Sequence, residues 1–88
     1  MSNAQIGGLT SFKMTARGIL RGVVIPHAVK KEILQGIEDI NMPLFKYCNC
    51  SDEQIKGAFI REVLSAVGSK VDSRLKAEIK SRLIKKFC

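Results

Sequence analysis

Val71, Leu75, Ile79, Leu83 and Phe87 stand four positions apart near the end of this chain. At 3.6 residues per turn, that spacing stacks all five on one side of a helix. It predicts one amphipathic helix over 70–88. Lys70, Arg74, Lys76, Lys80, Arg82, Lys85 and Lys86 fill its other faces, and only Asp72 and Glu78 oppose them. Such a helix can bury one side and offer the other to a polyanion.

The rest of the chain must supply what that apolar side packs against. With 88 residues there is room for one domain and one modest core. Trp is absent, so aliphatic residues must build most of it. Phe12, Ala16, Ile19, Leu20 and Val23 fit one face of a helix beginning at Ser11, with Lys13, Arg17 and Arg21 as a stripe on another. Gly18 and Gly22 weaken that helix by about 1 kcal/mol each relative to Ala. A strand over 19–25 competes with it, because Val23-Val24-Ile25 is β-branched throughout. Pro26 ends whatever precedes it and suits the first turn of a second helix over 27–40, with Val29, Ile33, Gly36, Ile37 and Ile40 inward. Asn41 and Pro43 stop that helix. Leu44, Phe45 and Tyr47 lie in the following connection, 42–50, and are expected to fold back on the core.

Ser51 opens the best-marked helix. Ser51 and Gln54 form a capping box, and Asp52 and Glu53 suit the positive helix start. Ile55, Phe59, Val63 and Val67 make its apolar side, with Ala58 and Ala66 beside it, and Gly68 is its C-cap. The short link to the last helix predicts an antiparallel hairpin. The expected fold is an all-α bundle of three to four short helices, with an α+β form carrying a strand at 19–25 as the alternative. Residues 1–10 read as a flexible lead and 11–88 as one basic helical domain.

The formal net charge is +7, unevenly spread. Residues 1–31 hold bases and no acid, residues 32–69 hold more acids than bases, and the last helix is strongly basic. Two basic ends around an acidic middle suit nucleic acid, an acidic protein surface or a second copy of the chain.

Chemistry-bearing groups are sparse. The one histidine, His27, has no Ser/Asp partners in a recognisable arrangement, and no Gly-rich phosphate loop joins a strand to a helix. Glu38 and Asp39 are adjacent, so on a helix they point in different directions. Cys48 and Cys50 are separated by one residue, where structural zinc sites use two to four. The expectation is a non-enzyme with no metal and no cofactor. Free thiols, with no secretory h-region, point to a reducing, intracellular setting. The longest apolar run, Val23-Val24-Ile25 with Pro26, is far short of the roughly 20 residues of a membrane-spanning helix.

Two short segments resemble known families. Arg21-Gly22-Val23-Val24-Ile25-Pro26-His27-Ala28-Val29-Lys30-Lys31 is similar to the strand–Ile-Pro–helix segment of AbrB-type DNA-binding proteins. Gly68-Ser69-Lys70-Val71-Asp72-Ser73-Arg74 is similar to the end of BEN domains. Both families bind DNA, but the matches are too short to transfer any functional residue.

The leading functional expectation is a non-catalytic nucleic-acid-binding module, for DNA or RNA. Arg74, Lys76, Lys80, Arg82, Lys85 and Lys86 would be its contacts, and Lys13, Arg17 and Arg21 a secondary basic stripe. The alternative is a small structural or adaptor subunit that docks on another protein or on itself through helix and loop apolar surface. A third reading lays residues 11–25 on a membrane surface.

Overall fold

The computed structural model describes residues 4–88. It contains five helices: α1 (Leu9–Arg21), α2 (His27–Glu38), α3 (Leu44–Tyr47), α4 (Asp52–Val67) and α5 (Ser73–Phe87). The all-α expectation holds, and no strand forms among the described residues. α1 packs on α2, α2 on α4, α4 on α5 and α5 on α1, so the four long helices close into a ring. The fully buried residues Leu20, Ile33, Ile37, Met42, Phe59, Val63, Val67, Ile79 and Leu83 fill its centre.

Local chemistry sets the helix ends. Gly8 precedes α1 at φ 85°, a left-handed conformation that a Cβ would strain, and its carbonyl accepts from Phe12 N–H at 2.8 Å. Ser51 Oγ accepts from Gln54 N–H at 3.3 Å while Gln54 Oε1 accepts from Ser51 N–H at 2.8 Å, completing the capping box at α4. Gly68, at φ 54°, turns the chain out of α4. Asp72 caps α5 by accepting from Leu75 N–H at 2.7 Å.

That cap corrects one expectation. The basic helix starts at Ser73 rather than Lys70, and Asp72 is its cap rather than an opposing charge within it. Lys70 instead donates to the Ala66 carbonyl near the end of α4, at 3.3 Å.

The strand alternative at 19–25 is also overturned. Residues 19–21 are the last turn of α1, and Val23 to Pro26 are an extended link. Val23 and Ile25 are buried while Val24 is 94% exposed. The link therefore alternates like a strand without pairing as one. α2 begins at His27, with Pro26 immediately before it.

Part of the expected lead, 1–10, has a fixed place; residues 1–3 lie outside the described residues. Ile6 and Leu9 are buried, and α1 already starts at Leu9. Ile6 N–H donates to the Met42 carbonyl at 3.0 Å, Leu44 N–H to the Ala4 carbonyl at 3.0 Å, and Gln5 Oε1 accepts from Met42 N–H at 2.8 Å. Residues 4–6 are thereby pinned to the α2–α3 connection. In that connection Met42 is the fully buried residue, Tyr47 is half-buried, Leu44 is 45% exposed and Phe45 is 84% exposed. The expectation that Leu44 and Phe45 fold onto the core is corrected: the chain that enters α3 through Pro43 turns Met42 inward.

Two packing features fix the ring's geometry. Phe12 of α1, Phe59 of α4 and Phe87 of α5 form a mutual cluster with centroid separations of 5.5, 5.4 and 5.6 Å. Such tilted and edge-on pairs add about 0.5–1.5 kcal/mol each beyond burial. Across the ring, a Cβ built on Gly36 of α2 would lie 2.9 Å from Ala66 Cβ of α4. That is closer than side-chain atoms tolerate, so the missing side chain sets the distance between these helices.

Candidate nucleic-acid interface

α5 occupies one corner of the ring and carries Arg74, Lys76, Lys80, Arg82, Lys85 and Lys86 against one acid, Glu78. Ile79 and Leu83 anchor it inward. Leu75 and Phe87 are half-buried, packed at the edge of the core. Arg74, Lys80, Arg82, Lys85 and Lys86 are exposed, whereas Lys76 is half-buried at the helix flank and joins this surface less fully than the sequence suggests.

The bases on α5 are largely unneutralised. Arg82 pairs with Glu78 at 3.7 Å, one turn away on its own helix. Among the described residues the only other ion pair is Arg17–Glu38, so none of the α5 cations reaches the acidic middle of the chain. The α5 pair is half-exposed and belongs to a class worth at most about 1 kcal/mol.

The secondary stripe divides. Arg17 Nη1 meets Glu38 Oε2 at 3.3 Å. Lys13 Nζ donates to the Glu38 carbonyl at 2.6 Å, a cation placed on the negative end of α2. Lys13 and Arg17 therefore tie α1 to α2 and do not lie with the α5 bases. Arg17 Nε is buried without a hydrogen-bond partner. Arg21 is exposed at the end of α1, and its carbonyl accepts from Lys30 Nζ at 3.2 Å. The neighbouring Gly22 lies beside Arg82: a Cβ built there would be 3.8 Å from Arg82 Nη1. The end of α1 thus adjoins the basic helix.

Besides a hollow lined by Asp72, Arg74, Leu75 and Glu78, two more open along α5. One is lined by Ala77, Lys80, Ser81, Ile84 and Lys85. The other is lined by Ile19 of α1 with Arg82, Lys85 and Lys86. Lys85 stands between them. Ile84 is 43% exposed, so the face has an apolar spot among its cations. The sequence reading placed Ile19 on the inward face of its helix, where it is half-buried, and left Ile84, which lies off the row of Leu75, Ile79 and Leu83, without a role.

Cys48 and Cys88 are exposed free thiols, and Cys50 is a half-buried one. Among the described residues no group of three or more His, Cys, Asp or Glu side chains is placed to hold a metal ion. No described helix is long and apolar enough to cross a membrane. No family model, no curated protein and no solved structure matches this chain.

Proposed function

We propose that the protein is a non-catalytic nucleic-acid-binding module whose contact element is α5. The observation that carries this reading is the set of five exposed bases on one helix, Arg74, Lys80, Arg82, Lys85 and Lys86, opposed there only by Glu78. Cations on a rigid, capped helix hold a fixed spacing, which is what repeated phosphates require. Arg74 and Arg82 can contact phosphate bidentately, and the lysines act as point charges. If about five phosphates are neutralised, affinity falls about 500-fold between about 50 and 200 mM salt. Titration of labelled duplex and single-stranded oligonucleotides across that range tests the proposal. Absence of binding to every one of them at about 50 mM salt refutes it.

A second reading, an adaptor subunit of a protein assembly, is favoured by a different observation. Phe45 is 84% exposed and Leu44 45% exposed on the short α3, whose start is pinned by the Ala4–Leu44 hydrogen bond. A large apolar pair held out on a fixed turn suits a protein contact. Sedimentation of the isolated chain separates the readings for self-association. A dimer that Phe45→Ser returns to monomer supports the adaptor, and a monomer for both chains removes its homo-oligomeric form.

A further inference from the structure

The head group of Arg82 is held from two sides. Nη2 lies 3.7 Å from Glu78 Oε1 on the same helix. Nη1 faces the end of α1, 3.8 Å from where a Cβ on Gly22 would stand. Gly22 puts no side chain over the guanidinium, and Arg82 stays 47% exposed. The hollow between the two helices is lined by this arginine, Lys85, Lys86 and Ile19, which makes three cations and no acid. Other hollows differ in charge. The one beside Arg74 includes Asp72 and Glu78, and the one beside Arg17 and Lys31 includes Glu38. The cations of the α1–α5 hollow are not spent on the negative end of α1. There the Ile19 carbonyl accepts from Gly22 N–H at 3.1 Å, the Leu20 carbonyl from Val23 N–H at 3.2 Å and the Arg21 carbonyl from Lys30 Nζ at 3.2 Å. Among the described residues Lys85 and Lys86 make no ion pair.

We infer that the hollow between α1 and α5 seats one phosphate group of the bound nucleic acid, with Arg82 as its fixed donor and Lys85 and Lys86 as the cations that close on it. This inference rests on the nucleic-acid reading above and picks one discrete contact out of a charged surface. A guanidinium presents a planar fork that matches two phosphate oxygens, whereas an ammonium is a point charge. A fork already held in place pays less ordering cost when the phosphate arrives. Glu78 is then a positioning residue for Arg82 rather than a stray opposing charge. Ile19 adds an apolar wall, and charge-assisted hydrogen bonds are stronger where water is displaced. An acidic lipid surface fits this hollow less well. Membrane-bound faces insert protruding apolar side chains, and Ile19 is half-buried against the core.

The experiment follows the backbone amides of the isotope-labelled full chain by NMR at about 50 mM salt. The probes are inorganic phosphate, a mixed-sequence DNA duplex, one of its separated strands and vesicles of an acidic phospholipid. Inorganic phosphate should shift the amides of Ile19, Gly22, Arg82 and Lys86 together. The duplex should shift the same set at a concentration at least about a hundredfold lower, because further phosphates bind alongside the first. Arg82→Lys should lose about tenfold on the duplex with its salt slope and thermal midpoint unchanged, because the charge stays and the fork goes. Lys80→Gln, outside the hollow, should keep the phosphate shifts and flatten the salt slope by about one. Phosphate shifts spread evenly along α5 overturn the inference, as does a folded Arg82→Lys chain that binds the duplex unchanged. In either case the broader nucleic-acid reading stands. Tighter binding to the vesicles than to either oligonucleotide overturns the inference in favour of a membrane surface. No binding to duplex or single strand overturns the nucleic-acid reading and the inference with it, even where free phosphate fills the hollow.

Discussion

Gly36→Ala asks whether the α2–α4 distance is set by a missing side chain. Two effects of opposite sign meet at this position. In an open helix Ala is favoured over Gly by about 1 kcal/mol. Here the new Cβ would sit 2.9 Å from Ala66 Cβ and 3.7 Å from Ala66 Cα. Both Cβ atoms are fixed to backbone, so no rotamer relieves the clash and the helices must part by several tenths of an ångström. Overpacking of this kind costs about 1–3 kcal/mol. The net expectation is a loss of about 1 kcal/mol, or a melting temperature about 4–8 °C lower. Ala66→Gly alone should also lose about 1 kcal/mol through helix propensity. The double variant moves the methyl group from one helix to the other and removes the clash. It should be more stable than the sum of the singles by about 1–2 kcal/mol, which chemical denaturation resolves. Gly18→Ala is the control: nothing lies within 4 Å of its Cβ position, so it should gain about 1 kcal/mol. The reasoning fails if Gly36→Ala is as stabilising as Gly18→Ala, or if the cycle is additive.

Three further outcomes are expected. Asp72→Ala should cost about 0.5–2 kcal/mol by removing the acceptor for Leu75 N–H, read from urea unfolding, with Asp72→Asn losing much less. Ile79→Ala should cost about 2–5 kcal/mol because the side chain is fully buried, while Lys80→Gln beside it should stay within about 0.5 kcal/mol; a large loss for Lys80→Gln would mean that the helix is rotated from its described face. Phe59→Ala should cost about 3–5 kcal/mol because it empties the centre of the aromatic cluster, whereas Phe45→Ser should leave the melt within about 0.5 kcal/mol; equal losses would contradict the contrast in burial.

What could be read in advance follows the range of the interactions involved. The capping box at Ser51, the turn at Gly68 and the inward row of Phe59, Val63 and Val67 depend on neighbours within a turn or two, and all were legible. So was Gly36 as an inward position, although its partner Ala66 was not. The start of α5 was missed because Asp72 looks the same in sequence as a cap and as a helical acid; its hydrogen bond to Leu75 decides between them. Val23-Val24-Ile25 misled because alternation is a property of any extended link, paired or not. Met42 and Phe45 are both apolar residues beside a proline, and only the turn at α3 distinguishes the buried one from the exposed one. For the candidate interface, the bases of α5 were legible from helical periodicity. The diversion of Lys13 and Arg17 to Glu38 was not, because it joins residues more than twenty positions apart. The contribution of Ile19 to the hollow beside Lys85 likewise depends on α1 meeting α5 across almost the whole chain.

The closure of the ring also has a bearing on synthesis. Phe12 belongs to the first helix and Phe87 to the last turn of the last one, yet their rings touch. A chain emerging from the ribosome can pair α1 with α2, and then α2 with α4, as each appears. The flank of α1 that will cover Phe87 stays wet until α5 has emerged. Contacts between chain ends carry a large loop-closure cost and form late. The hairpin of α4 and α5, linked by a few residues, is by contrast cheap to close. Folding should therefore end with the α4–α5 hairpin closing on α1. A nascent chain stalled before α5 has emerged would leave Phe12 and Phe59 without Phe87, presented to whatever chaperone waits at the tunnel exit.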